Sequence, residues 1–375
     1  MTIYLYNIRS HFVLDIIFKN IHNKTKLLIL KYNKSLLNKL KITKDDFKVY
    51  EYLKEFNGQF KLNLKDIDCK EIDLSGKKVS EESIEELFTK IDFKCLKELN
   101  LNRNNVSDLK IFEKFNFDKL EKLYICANEI TNMDVLKNVK FKNLKELNLK
   151  YNEISDIDVL KIFDFKHLRE LYLGGNKISE IKILENVNFK ELTVLDFHGN
   201  KEISDITVLE KVKFDNLEIL NLAGNDISDI TVLSKVNFKN LKELYLGSNN
   251  ITDINVLSKV DFKELTGLHL NYNHIENIEV LEKVKFDKLK KLSLNSNSID
   301  DISVLSKVNF KKLKELYLSH NQISDINVFE TAKFDELELL DLMFNKVAQD
   351  DEENESSIVV KLRKKIKKFY LYEVD

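Results

Sequence analysis

An asparagine recurs along most of this chain at a nearly constant spacing, and this repeat restricts the fold more than any other feature. The step is 24 residues throughout, except between Asn200 and Asn225, where it is 25. A period of this length is typical of solenoids, in which each repeat is one structural unit that stacks on its neighbours. The recurring positions are Asn104, Asn128, Asn152, Asn176, Asn200, Asn225, Asn249, Asn273, Asn297, Asn321 and Asn345.

Leucines surround each asparagine in the pattern L-x-x-L-x-L-x-x-N-x-I, as at Leu241, Leu244, Leu246, Asn249 and Ile251. The alternation within L-x-L is the periodicity of a short strand. Because one repeat cannot bury its own leucines, neighbouring repeats must stack, and their strands are predicted to form one parallel sheet. Each asparagine has two donors and an acceptor on its amide, so we interpret the set as a structural ladder that satisfies buried backbone groups.

The second half of each repeat has the pattern I-S-D-I-x-V-L-x-x-V-x-F, as in Ile227–Phe238. Ser, Asp and Thr before Val-Leu favour the start of a helix, so we expect a short helical turn on the convex side. A phenylalanine then precedes the first repeat leucine by three residues. We interpret these rings as a buried aromatic spine rather than a binding stripe. They are Phe117, Phe141, Phe165, Phe189, Phe214, Phe238, Phe262, Phe286, Phe310 and Phe334.

Over residues 69–347 the motif resembles the leucine-rich-repeat family, and its I-S-D-I-x-V-L segment resembles phosphatase-regulatory SDS-type and internalin-type repeats. It departs from that subclass in having a longer period, and Val where Pro is common. The resemblance implies an α/β solenoid: an arc with a parallel concave sheet and short helical turns on the convex side. It also implies that a protein partner binds on the concave sheet, without naming that partner.

The residues between the repeat leucines face outward on the concave sheet, and they vary from repeat to repeat while the leucines do not. Tyrosine offers a large contact area and a polar tip, and it is enriched at interaction hot spots. Small residues in the middle repeats predict a bare patch that a partner backbone could approach. Tyrosine also favours strands, and small residues avoid crowding on a curved sheet, so a purely structural interpretation stays open. The candidate partner-binding residues are Tyr124, Tyr151, Tyr172, His198, Tyr245, His269, Tyr272 and Tyr317, and the small residues are Gly174, Gly175, Gly199, Ala223, Gly224 and Gly247.

We divide the chain into residues 1–65, the solenoid at 66–347 and a C-terminal segment at 348–375. Helical spacing over Ser10–Ile21, Lys24–Ile42 and Phe47–Phe56 predicts a helical N-terminal cap. Such a module before leucine-rich repeats also resembles F-box proteins, which implies a ubiquitin-ligase adaptor as a second partner. The C-terminal segment has an acidic loop and then a basic, amphipathic stretch at Ile358–Tyr372, which predicts a capping helix or a membrane-surface or acidic-partner contact.

Charge and motif content exclude several classes of function. The 60 Lys and Arg against 62 Asp and Glu give a net charge of −2, unlike a nucleic-acid binder. The three cysteines form no paired motif, so neither a zinc site nor a disulfide framework is indicated. The histidines are scattered, and the catalytic signatures of proteases, hydrolases and nucleotide-binding enzymes are missing. We therefore expect no metal, no cofactor and no enzymatic activity.

The sequence shows no export signal and no apolar run of about 18 residues that could span a membrane. We expect an intracellular, cytoplasmic monomer. The leading hypothesis is a non-catalytic scaffold or adaptor that binds a protein on its concave face. The alternatives are an F-box-like substrate receptor of a ubiquitin ligase and an adhesion or effector-type repeat protein.

Overall fold

The computed structural model describes residues 52–53, 55–62, 70–90, 95–139, 141–162, 165–347 and 357–371. Within them, 13 strands follow one another in chain order in one parallel sheet. This confirms the predicted solenoid with a single parallel sheet. The strands are β1 Glu71–Asp73, β2 Glu98–Asn100, β3 Lys122–Tyr124, β4 Glu146–Asn148, β5 Glu170–Tyr172, β6 Val194–Asp196, β7 Ile219–Asn221, β8 Glu243–Tyr245, β9 Gly267–His269, β10 Lys291–Ser293, β11 Glu315–Tyr317, β12 Leu339–Asp341 and β13 Lys368–Tyr370.

The central leucine of each strand sets the register of the sheet. Leu220 of β7 pairs with Leu244 of β8, and Leu244 pairs in turn with Leu268 of β9. All three side chains are fully buried, and both flanking residues of each strand lie on the opposite face. Alternation therefore puts the leucines in the core and leaves the variable residues on the concave face.

The convex side carries short 3-10 helices, which are the predicted helical turns. Most of these turns begin two residues after an aspartate whose side chain accepts the first amide of the turn. Asp229 Oδ1, for example, accepts the Thr231 amide at 2.8 Å. In the same turn, the Leu233 amide donates to Ile230 O at 3.0 Å, and both side chains are buried. The turns are Asp134–Asn138, Asp158–Lys161, Lys182–Asn186, Thr207–Glu210, Thr231–Ser234, Asn255–Lys259, Glu279–Glu282, Ser303–Ser306 and Asn327–Glu330.

The phenylalanines of the predicted spine are buried in the core between sheet and turns. Neighbouring rings lie close together: the centroids of Phe141 and Phe165 are 6.3 Å apart, and those of Phe189 and Phe214 are 6.5 Å apart. A core built this way runs the length of the solenoid, so each repeat is held mainly by its two neighbours.

Both ends of the solenoid differ from the middle. The first two repeats carry helices that the repeat pattern did not predict, α1 Glu81–Lys90 and α2 Ile111–Lys114. Residues 52–53 and 55–60 are helical, whereas the helices expected at Ser10–Ile21 and Lys24–Ile42 lie outside the described residues.

At the C-terminus, α3 spans Ser357–Lys365 and β13 follows it. The single helix predicted to run to Tyr372 is therefore wrong beyond Lys365. Phe369 of β13 aligns with Leu340 of β12, and the Lys368 amide donates to Glu338 O at 2.9 Å. The unpaired edge of β12 takes up these backbone groups, so sheet pairing outweighs the helical spacing there.

Candidate binding face

The ladder asparagines fix the loops that follow the strands. Asn249 Nδ2 donates to Leu222 O at 2.9 Å and to Leu246 O at 3.1 Å, and its Oδ1 accepts the Ile227 amide at 3.0 Å. Each amide thus connects its own loop to the preceding repeat, and the same geometry recurs from Asn104 to Asn345 with the exception of Asn225. These hydrogen bonds fix the loops that carry the concave residues to the neighbouring repeats.

The 25-residue repeat breaks this ladder at one place. The extra residue makes a tight turn in which the Glu202 amide donates to Asn200 O at 2.7 Å. The Ile203 amide consequently does not reach Asn225, whose Oδ1 is buried without a hydrogen-bond partner. A buried oxygen in this state costs about 1–3 kcal/mol, so this junction between repeats is weaker than its neighbours.

In every repeat that has a ladder asparagine, the residue directly before that asparagine has a positive φ. Glycine occupies this position in the middle repeats, with φ of 65–69° at Gly199 and Gly224, which is free of steric cost. Tyr151, Tyr272 and Phe344 adopt φ of 53°, 54° and 56°. A residue with a Cβ pays about 1–2 kcal/mol for this conformation. These three bulky rings are nevertheless 55%, 58% and 48% exposed. Tyr151 still bonds His198 and Phe344 stacks on His320, whereas Tyr272 has neither a side-chain hydrogen bond nor a ring contact within the described residues.

Four side chains near the middle of the concave face form what we call the paired network: Lys150, Tyr151, Asp196 and His198. Asp196 Oδ2 lies 2.8 Å from Lys150 Nζ, and its Oδ1 lies 2.8 Å from His198 Nδ1. Because Nδ1 faces the carboxylate, it carries the proton and leaves Nε2 to accept from the Tyr151 hydroxyl at 3.1 Å. Every polar group of the four thus has a partner.

Asp196 is the centre of the paired network, with a side chain only 5% exposed. Burial by itself raises the pKa of this carboxyl, but hydrogen bonds from His198 and Lys150 outweigh burial and hold the pKa below its usual range. Asp196 is therefore a buried anion that fixes the His198 ring, which in turn fixes the Tyr151 ring. The exposed face of Tyr151 is preorganised as a consequence.

Three further candidate tyrosines bind carboxylates through their hydroxyls. Tyr124 donates to Glu146 at 2.8 Å, Tyr172 to Glu170 at 2.6 Å, and Tyr317 to Glu315 at 3.0 Å. Burial is the main cause that raises the pKa of each phenol, to about 12 for Tyr317. These hydroxyls stay protonated at neutral pH and are already engaged. Lys150 Nζ also lies over the Tyr172 ring at 4.5 Å and Lys291 Nζ over the Tyr317 ring at 5.0 Å, so these tyrosines are largely occupied within the fold.

His269 is held in a second group of contacts on β8 to β10. Its ring stacks on Tyr245 with centroids 4.2 Å apart, and its two nitrogens lie 3.4 Å from Glu243 Oε2 and 3.3 Å from Ser293 Oγ. Burial raises the pKa of Glu243, but hydrogen bonds from His269 and Thr266 lower it below its ordinary value. The Tyr245 and His269 rings are stacked face to face and form one aromatic pair.

The Tyr245 and His269 pair is surrounded by polar side chains, and together with Tyr245 these form what we call the open patch. Within the part of the chain that the structure describes, five of these side chains make no hydrogen bond: those of Tyr245, Ser248, Asn271, Tyr272 and Asn295. The open patch comprises Asn221, Tyr245, Ser248, Asn271, Tyr272 and Asn295. The Asn221 side chain accepts only the Ala223 amide, at 3.1 Å, which leaves its Nδ2 free.

Two family models, for Leucine rich repeat and for Leucine Rich repeats (2 copies), match the chain. The first matches residues 118–178 and 287–347, and the second matches residues 166–211, 215–259 and 263–307. Together they cover more than half of the sequence. The chain belongs to the leucine-rich-repeat family. The resemblance inferred from the spacing of leucine and asparagine is thereby confirmed.

Solved leucine-rich-repeat structures share this fold. An internalin, InlF of Listeria monocytogenes, is 26% identical with a TM-score of 0.58, over 82% of this chain and 87% of the internalin. InlJ of the same organism is 22% identical with a TM-score of 0.54, over 81% and 64% of the two chains. The Arabidopsis receptor kinase HAESA, solved with a peptide hormone and a co-receptor, is 18% identical with a TM-score of 0.58, over 81% and 54%. No curated protein matches the chain.

Neither a metal-binding cluster nor a membrane-spanning helix occurs within the described ranges of this leucine-rich-repeat protein. They contain no group of three or more His, Cys, Asp or Glu residues placed to hold a metal ion. None of their helices is both long and apolar enough to cross a membrane.

The bare patch expected from the small residues is wrong at three of its six positions. Neighbouring side chains cover three of its glycines: a Cβ on Gly174 would lie 2.1 Å from the His198 ring, and one on Gly247 would lie 2.8 Å from Asn271. Tyr151 covers Gly175 in the same way. These glycines accommodate concave side chains of this leucine-rich-repeat protein and do not leave room for a partner backbone.

The structure brings Tyr151 together with His198, and Tyr245 together with His269, as two separate groups. Sequence reasoning placed these residues on the concave face but missed Asp196 and Asn271. Their signal was present, because both stand in the same outward columns of the leucine-rich repeat as the selected residues.

Proposed function

We propose that this leucine-rich-repeat protein is a non-catalytic scaffold that binds a protein partner on its concave face. One observation carries the proposal: Tyr151, Tyr272 and Phe344 hold exposed rings in a left-handed backbone conformation. Glycine occupies the same position in three other repeats and relieves the strain. At Tyr272 no side-chain hydrogen bond or ring contact in the described residues compensates the strain, and uncompensated strain is typical of ligand-binding positions.

Family and surface chemistry support the same conclusion. Leucine-rich repeats generally serve as protein-interaction scaffolds, and their receptor relative HAESA has been solved with a peptide hormone. Exposed tyrosines that are fixed in place lose little entropy on binding, and such residues contribute a large share of interface energy. Tyr151, held by His198, has this property.

The test is capture of a partner from lysate of the source organism by immobilised full-length protein, followed by titration with the purified partner. Tyr272→Gly removes one ring and also its backbone strain, so a loss of binding cannot come from unfolding. We expect this change to weaken binding about 30-fold, or about 2 kcal/mol. Asn309→Ala, on an exposed loop away from the concave sheet, is the control. Equal binding by wild type, Tyr272→Gly and Tyr151→Gly would exclude the concave face.

The role of residues 1–65 as a docking module for a ubiquitin-ligase adaptor stays a prediction, because most of that segment lies outside the described residues. The same holds for the cytoplasmic location.

A further inference from the structure

The open patch differs from the rest of the concave face in its lack of free charge. Its four repeats contribute only two charged residues to the concave columns, Glu243 and Lys291. Glu243 is bound by His269 and by Thr266, whose hydroxyl lies 2.7 Å away, and Lys291 Nζ lies 3.1 Å from Glu315 Oε2. A charged partner group placed here would lose its hydration without gaining a counter-charge.

The polar groups that remain are matched to a peptide main chain. Asn271 and Asn295 each offer an amide with two donors and an acceptor, and Asn221 offers its free Nδ2. A backbone N–H and C=O form the complementary pair. A helical partner satisfies those groups internally, so only an extended or irregular segment presents them along its length.

We propose that the open patch binds the main chain of an extended, uncharged segment of the protein partner. This inference rests on the proposed function, and it specifies which part of the concave face binds the partner and through which interactions. Asn221, Asn271 and Asn295 hold the backbone of the segment, and the stacked rings of Tyr245 and His269 contact an apolar side chain.

The dimensions of the patch set the length of the segment. From β7 to β10 there are three steps between strands, which is about 14 Å. An extended chain covers about 3.3 Å per residue, so about four or five residues of the partner lie across the patch. The Tyr272 side chain, which follows β9, is 58% exposed and available to the segment.

A selection from a library of random linear peptides of about nine residues, roughly 30 Å when extended, tests this on the full-length protein. We expect the enriched peptides to share a core without Asp, Glu, Lys or Arg. The strongest peptide is then synthesised with and without N-methyl groups on the core amides. N-methylation removes main-chain donors, and we expect it to weaken binding about 10-fold.

Two variants locate the peptide. Asn271→Ala removes an amide, and Gly247→Ala displaces the same amide, because the new Cβ would lie 2.8 Å from Asn271 Oδ1. Each should weaken the peptide about 10-fold, while Asn309→Ala leaves it unchanged. No enrichment over the bare support, a charged shared core, or full affinity for Asn271→Ala or for the N-methylated peptide would each overturn the inference. If the lysate partner still depends on Tyr272 in that case, the proposed function stands and only this assignment falls.

Discussion

The paired network and the open patch lie on the same sheet, within a few strands of each other, yet they use polar side chains in opposite ways. In the paired network, Asp196 binds Lys150 and His198, and His198 binds Tyr151, so every group is satisfied inside the protein. In the open patch, Asn271 and Asn295 have no protein partner for their amides. The first arrangement gives rigidity, and the second keeps hydrogen-bonding capacity for a ligand.

The largest difference in stability should appear when the carboxylate of Asp196 and the amide of Asn221, which occupy equivalent strand positions, are each removed. Asp196 and Asn221 both end a strand, and both accept the amide two residues ahead, at 2.9 Å and 3.1 Å. Asp196→Ala also leaves Lys150 and His198 of the paired network without their hydrogen-bond acceptor. We therefore expect it to lower the free energy of unfolding by about 2–3 kcal/mol more than Asn221→Ala. Urea denaturation measures both. Equal losses would mean that the paired network adds nothing to stability.

A pair of glycines gives the next largest contrast. A Cβ on Gly174 would meet the His198 ring at 2.1 Å, and one on Gly247 would meet the Asn271 amide at 2.8 Å. His198 cannot move without breaking its bonds, so Gly174→Ala should cost about 2 kcal/mol. Asn271 is free to turn, so Gly247→Ala should cost less than about 0.5 kcal/mol. Similar midpoints for the two variants in thermal unfolding would contradict this distinction.

Acid should remove part of the contribution of Asp196. Because the folded-state pKa of this carboxyl lies below its ordinary value, its stabilisation is fully present above the unfolded pKa of about 3.9 and is lost as pH falls through the folded pKa. The difference in unfolding free energy between wild type and Asp196→Ala should therefore shrink below about pH 4. Urea titrations at several acidic pH values test this, and a constant difference down to pH 2 would refute it.

The smallest change in stability is expected when the left-handed tyrosine of each region is replaced by glycine, and its sign should differ between the open patch and the paired network. Tyr272→Gly relieves the left-handed strain of about 1–2 kcal/mol, part of which the greater freedom of glycine in the unfolded chain cancels. We expect a net stabilisation of about 0.5 kcal/mol. Tyr151→Gly relieves the same strain but loses the hydrogen bond and ring contact with His198, so it should destabilise by a similar amount. Calorimetry on both variants decides whether the Tyr151 contact outweighs its strain.

Sequence alone predicted the parts of this molecule that depend on local periodicity. The alternation at Leu244 and Leu246 gave the strand, and the Ser-Asp-Ile spacing gave the convex turn. It did not predict the paired network, because Tyr151 and His198 are 47 residues apart and meet only when three repeats stack, across the repeat that lies between them. The left-handed position was also missed, although the glycines at 175, 199 and 224 marked it.

The single longer repeat has a mechanical consequence. Because an elongated protein of this kind is a row of neighbours, it separates first where one junction is weakest. The unsatisfied oxygen of Asn225 puts that junction between the strand that carries Asp196 and the strand that carries Asn221. Under tension applied at the two ends, we expect the molecule to part there into two blocks. The paired network would stay intact in one block, and the open patch would go with the other.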